Sequence, residues 1–188
     1  LFSENKYRYL FKTTHSPYVL AEMDQVNLVR IYNADKIVSR SVLYVVPEEF
    51  KEQRKMLNRG LTEAIFADKV LLVEGPSEMV LFGKVLSEKN PFYEADGIYI
   101  LSVGGFGFKP YQSILNALKI YNVVKTDNDL RKPRNKETYS VLGFMRLNGL
   151  IGETILPEDP VNEKSVAAKR ELYDKNRETL DRIRSNYS

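Results

Sequence analysis

The chain has 188 residues, 43% hydrophobic and 28% charged, which excludes a disordered polymer and suits one domain with an attachment, or two small domains. Its 28 Lys and Arg against 25 Asp and Glu leave a formal charge of +3, so net charge alone demands no nucleic-acid partner. With no cysteine and the single histidine His15, a disulfide framework, a thiolate zinc site, a cysteine nucleophile and a multi-histidine metal site are all excluded. Any metal must be held by carboxylates, which favours hard ions such as Mg2+ or Mn2+.

Residues 6–13, KYRYLFKT, are rich in aromatics and read as a strand, followed after THSP and Pro17 by a short helix in YVLAEM. VNLVRIYN and KIVSRSVLYVV are β-branched segments bounded by Asn and Asp, and so read as two more strands. Over 48–66, Phe50, Met56, Leu57, Leu61, Ala64 and Ile65 recur at helical spacing, predicting a linker helix or a pair interrupted near Gly60. KVLLVE is a continuous apolar run ending in an acid, as in a strand buried on both faces. Pro76 then stands where a helix begins, because proline at the first helical position loses no needed donor. MVLFGKVLSEK supplies that helix, GIYILSV a strand, GGFGFKP a loop, YQSILNALKIY a helix and NVVKTDND a third strand. The alternation predicts an α/β domain with a mostly parallel sheet flanked by helices. VLGFMRLNGLI is helical, and 162–185 reads as one charged helix anchored by Val166, Leu172, Leu180 and Ile183. No apolar run approaches the roughly 20 residues that span a bilayer. The charged opening does not read as a signal peptide. The absence of cysteine fits a reducing cytoplasm. The chain opens on Leu1 rather than methionine, from which a fragment is expected.

Three features converge on chemistry: Glu74 ending a strand with Glu78 in the next helical turn, Asp127 with Asp129 closing another strand, and the basic run Arg131, Lys132, Arg134, Lys136. In a parallel α/β sheet, sites form outside the carboxyl ends of the strands, where Glu74 and the two aspartates are expected. Residues i and i+2 of an extended segment point the same way, so both aspartates can face one ion. Glu78 near a helix N-terminus is favoured by the backbone dipoles. Four crowded carboxylates repel one another unless a cation neutralises them. Two divalent ions there would stabilise the attacking and leaving oxygens of a phosphoryl displacement, and the basic run, with Lys125, would grip the flanking phosphates.

Taken singly, each feature has a bland alternative. A strand-ending Glu is usually a solvated rim residue, a D-x-D turn an Asx-stabilised corner, and a basic run a solvated loop. An EF-hand is excluded, since Arg131 and Lys132 stand where that loop needs an oxygen ligand and a glycine. GGFGF hints at a dinucleotide fingerprint, but Pro110 replaces its third glycine, so a tight turn is expected instead.

VLLVEGPSE followed by VVKTDND resembles the Toprim domain of topoisomerases, primases and OLD (overcoming lysogenization defect) nucleases. The flanking text, LNRGLTEAIFADKVLLVEGPSEMVLFGKVL, then VGG, then KTDNDL, is most similar to the OLD family, and within it to the nuclease subunits of Gabija anti-phage systems. The resemblance implies an ATP-regulated, metal-dependent DNA endonuclease. Glu74, Asp127 and Asp129 would be catalytic, and these three with Glu78 would be ligands of Mg2+ or Mn2+ in a two-metal site. It further implies that YLFKTTHSPYVLAEM is the last part of an ABC-type ATPase domain, with His15 as its switch histidine. The expected divisions are 1–46 for that ATPase remnant, 47–67 for a helical linker and 68–188 for the Toprim domain, incomplete at its carboxyl end. No Walker A pattern occurs, so these residues form no ATP site of their own; ATP belongs to the parent protein. The resemblance implies DNA as substrate, a homo-oligomer built through the ATPase domain and a UvrD-like helicase as partner, in a bacterial cytoplasm. The additional downstream acids and lysine of OLD nucleases find no match in the last residues. The rival reading is a catalytically silent DNA-binding or assembly module, marked by indifference to metal. A third is a topoisomerase- or primase-type Toprim enzyme, against which the ATPase-like opening and the lack of a recognisable tyrosine context argue.

Overall fold

A computed structural model describes residues 11–21, 27–33, 39–45, 59–104, 107–132, 134, 137–158, 161–162 and 165–187. Of the strand expected over 6–13, residues 6–10 lie outside the described residues, and 11–13 form no strand. Phe11 is 87% exposed, and no strand among the described residues pairs with this segment. Helix α1 (Pro17–Ala21) precedes β1 (Asn27–Asn33) and β2 (Ser39–Val45), which pair antiparallel with Arg30 opposite Val42. Most of the expected linker helix lies outside the described residues; its end is α2 (Arg59–Ile65). Gly60 is the second residue of that helix, and whether the expected helix is interrupted just before it lies outside the described residues.

The centre is a parallel sheet in the order β4-β3-β5, with β3 at Lys69–Val73, β4 at Ile98–Ser102 and β5 at Tyr121–Val124. Its register sets Leu71 beside both Ile100 and Val123. Helix α3 (Pro76–Lys89) follows β3, and α4 (Lys109–Ala117) follows β4. One sheet face carries the main core: Val70, Leu72 and Leu101 pack with Leu61, Ala64, Tyr111 and Leu115 of α2 and α4. Leu20 of α1 is in the same cluster, and Leu28 and Val42 of the hairpin pack against it. Arg30 fixes that contact by donating to the carbonyls of Leu118 (3.2 Å), Lys119 (3.3 Å) and Ala67 (3.2 Å). Its burial lowers the guanidinium pKa, against the opposing pull of Asp68.

α4 stops earlier than the expected run to residue 121. Lys119 takes a positive φ of 58°, and the Ile120 N–H turns back to the Leu115 carbonyl at 2.8 Å, so that β5 can enter the sheet. Of the glycine-rich loop expected to turn tightly, the middle at 105–106 lies outside the described residues; Gly104 and Gly107 on either side take φ of 59° and 82°, and Phe108 beyond them is buried.

Beyond β5 the chain forms a small hairpin that the sequence reading did not anticipate, β6 (Leu130–Arg131) against β7 (Ser140–Val141). Helix α5 (Leu142–Ile151) follows. The single charged helix expected over 162–185 is two, α6 (Val166–Lys175) and α7 (Arg177–Tyr187), broken at Asn176. The break follows from side-chain chemistry. Asn176 donates its amide to the Leu172 carbonyl at 2.8 Å, and the turn lets Leu180 and Ile183 reach a second core with Val141, Phe144 and Leu156. Val166, expected as an anchor, is 74% exposed.

Candidate metal and nucleic-acid site

Glu74 follows β3 directly, and α3 begins two residues later, so the strand end and the helix start share one corner. Glu78, third in the helix, folds back on that corner. Its Oε2 accepts the N–H of Glu74 at 2.8 Å and of Gly75 at 2.9 Å, the reciprocal half of a capping box. The segment 125–129 leaves β5 beside the same corner, with the Lys125 N–H on the Leu72 carbonyl at 2.9 Å.

These elements bring together Glu74, Glu78 and Asp127, as the sequence reading expected, but they also bring two cations. Lys125 donates its ammonium to both Glu78 Oε1 and Asp127 Oδ1. Arg146, from α5, donates to Glu74 Oε1. The same Glu74 oxygen accepts from the Thr126 hydroxyl at 2.7 Å and the Asp127 N–H at 2.8 Å, so Glu74 holds the 126–127 backbone in place. Partial burial by itself would lower the Lys125 pKa; the hydrogen bonds and charges of Asp127 and Glu78 oppose that and raise it overall. Lys125, expected as a phosphate contact, is placed among the acids.

Asp129 is arranged differently from Asp127. Its carbonyl accepts the Leu142 N–H of α5 at 2.8 Å, and its side chain is exposed where the chain turns into β6. It takes no part in the contacts at Lys125 or Arg146. Helix α5 packs tightly on this segment: a Cβ at Gly143 would lie 2.9 Å from Asn128 Oδ1 and 3.1 Å from the Asp127 carbonyl. The buried Asn128 Oδ1 has no hydrogen-bond partner among the described residues.

Arg131 lies exposed on β6, with Lys132 and Arg134 exposed just beyond; Lys136 lies outside the described residues. Lys132 pairs with Glu137 at 3.4 Å and stands 5.9 Å from the Tyr139 ring centre. His15 is exposed in the segment before α1. The residue that the sequence reading missed is Arg146. Its signal was present, as the one charge within the apolar helix VLGFMRLNGLI.

The donor set suits a hard divalent ion, being all carboxylate oxygen, and Glu78 with Asp127 already faces one cationic group. Among the described residues, with Lys125 in place, no three carboxylates converge on a common position for a metal.

Residues 65–129 match the family described as Overcoming lysogenization defect protein-like, TOPRIM domain. The unit that runs through β3, α3, β4, α4 and β5 is therefore an OLD-like Toprim domain, with its acids at the carboxyl ends of β3 and β5. The chain is also 40% identical, over 190 residues and 98% of its length, to Endonuclease GajA of Bacillus cereus (strain VD045). That alignment covers 33% of the relative, so the chain spans about a third of the length of the curated protein it matches.

Proposed function

We propose that this chain is the Toprim part of a DNA endonuclease that hydrolyses phosphodiester bonds, nicking or cutting, in anti-phage defence. The observation that carries the reading is the meeting of Glu74, Glu78 and Asp127 at the strand ends of an OLD-like Toprim domain, in a chain similar to an endonuclease. Glu74 orients residues 126–127 through Oε1, and its Oε2 would be the oxygen offered to a metal ion. Glu78 ties the helix start to the strand end, and Asp127 presents its carboxylate beside both. Bound Mg2+ or Mn2+, in a two-metal site completed by Asp129, would supply charge neutralisation and an activated water. Arg131, Lys132, Arg134 and Lys136 would hold the DNA backbone on the exposed hairpin side.

The reading extends to the parent protein. Residues 1–46 would close an ABC-type ATPase domain with His15 as its switch, and ATP would regulate cleavage there. The parent would self-associate through that domain, work beside a UvrD-like helicase and act in the bacterial cytoplasm. No helix among the described residues is long and apolar enough to cross a membrane.

In the full-length protein, Asp127→Ala is expected to abolish cleavage while circular dichroism and the melting profile remain those of a folded protein. Retained cleavage in a folded Asp127→Ala protein overturns the assignment. A silent DNA-binding module is favoured by one observation, the exposure of Arg131 and Arg134 on the hairpin. It predicts DNA binding that weakens with salt and ignores metal.

A further inference from the structure

Glu78 spends one oxygen on the corner itself. Oε2 accepts the two N–H groups of Glu74 and Gly75, which leaves Oε1 alone for any cation, and Lys125 holds it. The same ammonium reaches Asp127 Oδ1, so one positive charge joins the first turn of α3 to the segment after β5. Lys125 arrives there by strand geometry: the register that sets Leu71 beside Val123 carries Lys125 to the level of Val73, next to Glu74. Arg146 differs in kind. It shares Glu74 Oε1 with Thr126 and the Asp127 N–H, and no hydrogen bond among the described residues engages Glu74 Oε2.

We propose that Lys125 is a resident counter-charge that occupies the cation position between Glu78 and Asp127, and that it withdraws before a divalent ion is held there. The inference rests on the reading of Glu74, Glu78 and Asp127 as metal-binding acids, and it adds a residue that sets their affinity. An ammonium and a divalent ion on the same oxygens repel each other, so every metal-binding event displaces two ion-pair contacts. A displaced ammonium would be free to pair with a DNA phosphate as substrate arrives. Metal and DNA are then expected to bind with positive coupling.

The test is Mn2+ binding by calorimetry and by the Mn2+ electron-spin signal, with full-length protein stripped by chelator. Lys125→Met is expected to bind Mn2+ about tenfold more tightly than the natural protein. It should also melt at a lower temperature in chelator, with the gap closing as Mn2+ is added. Lys125→Arg, which keeps the charge, should bind like the natural protein. Unchanged or weaker Mn2+ binding in Lys125→Met overturns the proposal. If Lys125→Met does not fold, Lys125→Gln, which keeps a donor for the two acids, is measured with the same expectation and the same overturning result. Asp127→Asn separates the two readings. If the natural protein binds no more Mn2+ than Asp127→Asn, the metal-site reading itself fails. If it binds more and Lys125→Met makes no difference, only the counter-charge proposal fails.

Discussion

Glu78 divides its two oxygens between the backbone amides of Glu74 and Gly75 and the Lys125 ammonium, and only 14% of its side chain is exposed. It is at once a helix cap and half of an ion pair, so the two roles can be separated by substitution. Glu78→Ala removes both and is expected to cost about 1–3 kcal/mol in urea unfolding. Glu78→Gln keeps an acceptor for the amides and should lose clearly less; equal losses would show that the cap contributes nothing. Asn148 is a residue of another kind. Its buried amide accepts the N–H groups of Ile155 (3.1 Å) and Leu156 (2.9 Å) and donates to the Leu156 carbonyl (2.8 Å) and to Glu158 (3.1 Å). Asn148→Ala leaves those backbone groups unsatisfied and should cost about 1–3 kcal/mol by the same measurement. The charge-bearing residues were legible in the sequence to differing degrees. Glu74, Glu78 and Asp127 followed from strand ends and spacing. Lys125 was open to the same i, i+2 argument that paired Asp127 with Asp129, since it too lies two residues from Asp127. Asp129 does not join that group, since its carbonyl is tied to the Leu142 N–H of α5 and its side chain is exposed.

At the scale of elements, α5 decides where the Asp127 segment sits. Leu142 donates to the Asp129 carbonyl, Arg146 reaches Glu74, and Gly143 lets the helix approach the 127–128 backbone. Two effects then compete in Gly143→Ala. Helix propensity favours alanine by about 1 kcal/mol. Against it, the new Cβ would stand 3.1 Å from both the Asp127 carbonyl and the Asn128 Cα, which are backbone atoms and cannot swing aside. The contact should win locally. Gly143→Ala is expected to fold, gain no stability and lose cleavage activity on the order of tenfold to a hundredfold, because the aspartate is displaced. A more stable and fully active Gly143→Ala protein would show that α5 does not position the segment. The sequence placed the long apolar strands and the proline-led start of α3 because each carries a local signal. The β6–β7 hairpin and the break at Asn176 depend on which side chains find partners across the fold, and no local pattern records that.

The described residues gather into two hydrophobic cores. The first gathers one face of the sheet with α1, α2, α4 and the inner side of the β1–β2 hairpin. The second joins β7, α5 and α7 through Val141, Phe144, Leu156, Leu180 and Ile183. The candidate site lies where they meet, since Glu74, Glu78 and Lys125 belong to the sheet side and Arg146 to the second cluster's helix. Leu180→Ala empties a buried position of that cluster and is expected to cost about 2–5 kcal/mol in thermal or urea unfolding. Because α5 belongs to the same cluster, the variant should also weaken cleavage; loss of stability with full activity would separate the two. The central claim is that the acids at the sheet's carboxyl end cut DNA with a divalent ion. It is tested most directly by incubating supercoiled plasmid with the full-length protein in Mg2+, in Mn2+ and in chelator, beside an Asp127→Asn, Asp129→Asn variant. Nicked or linear DNA should appear only with metal and be lost in the variant. Cleavage that persists in chelator or in the folded variant, or DNA bound but uncut in every metal, would contradict it.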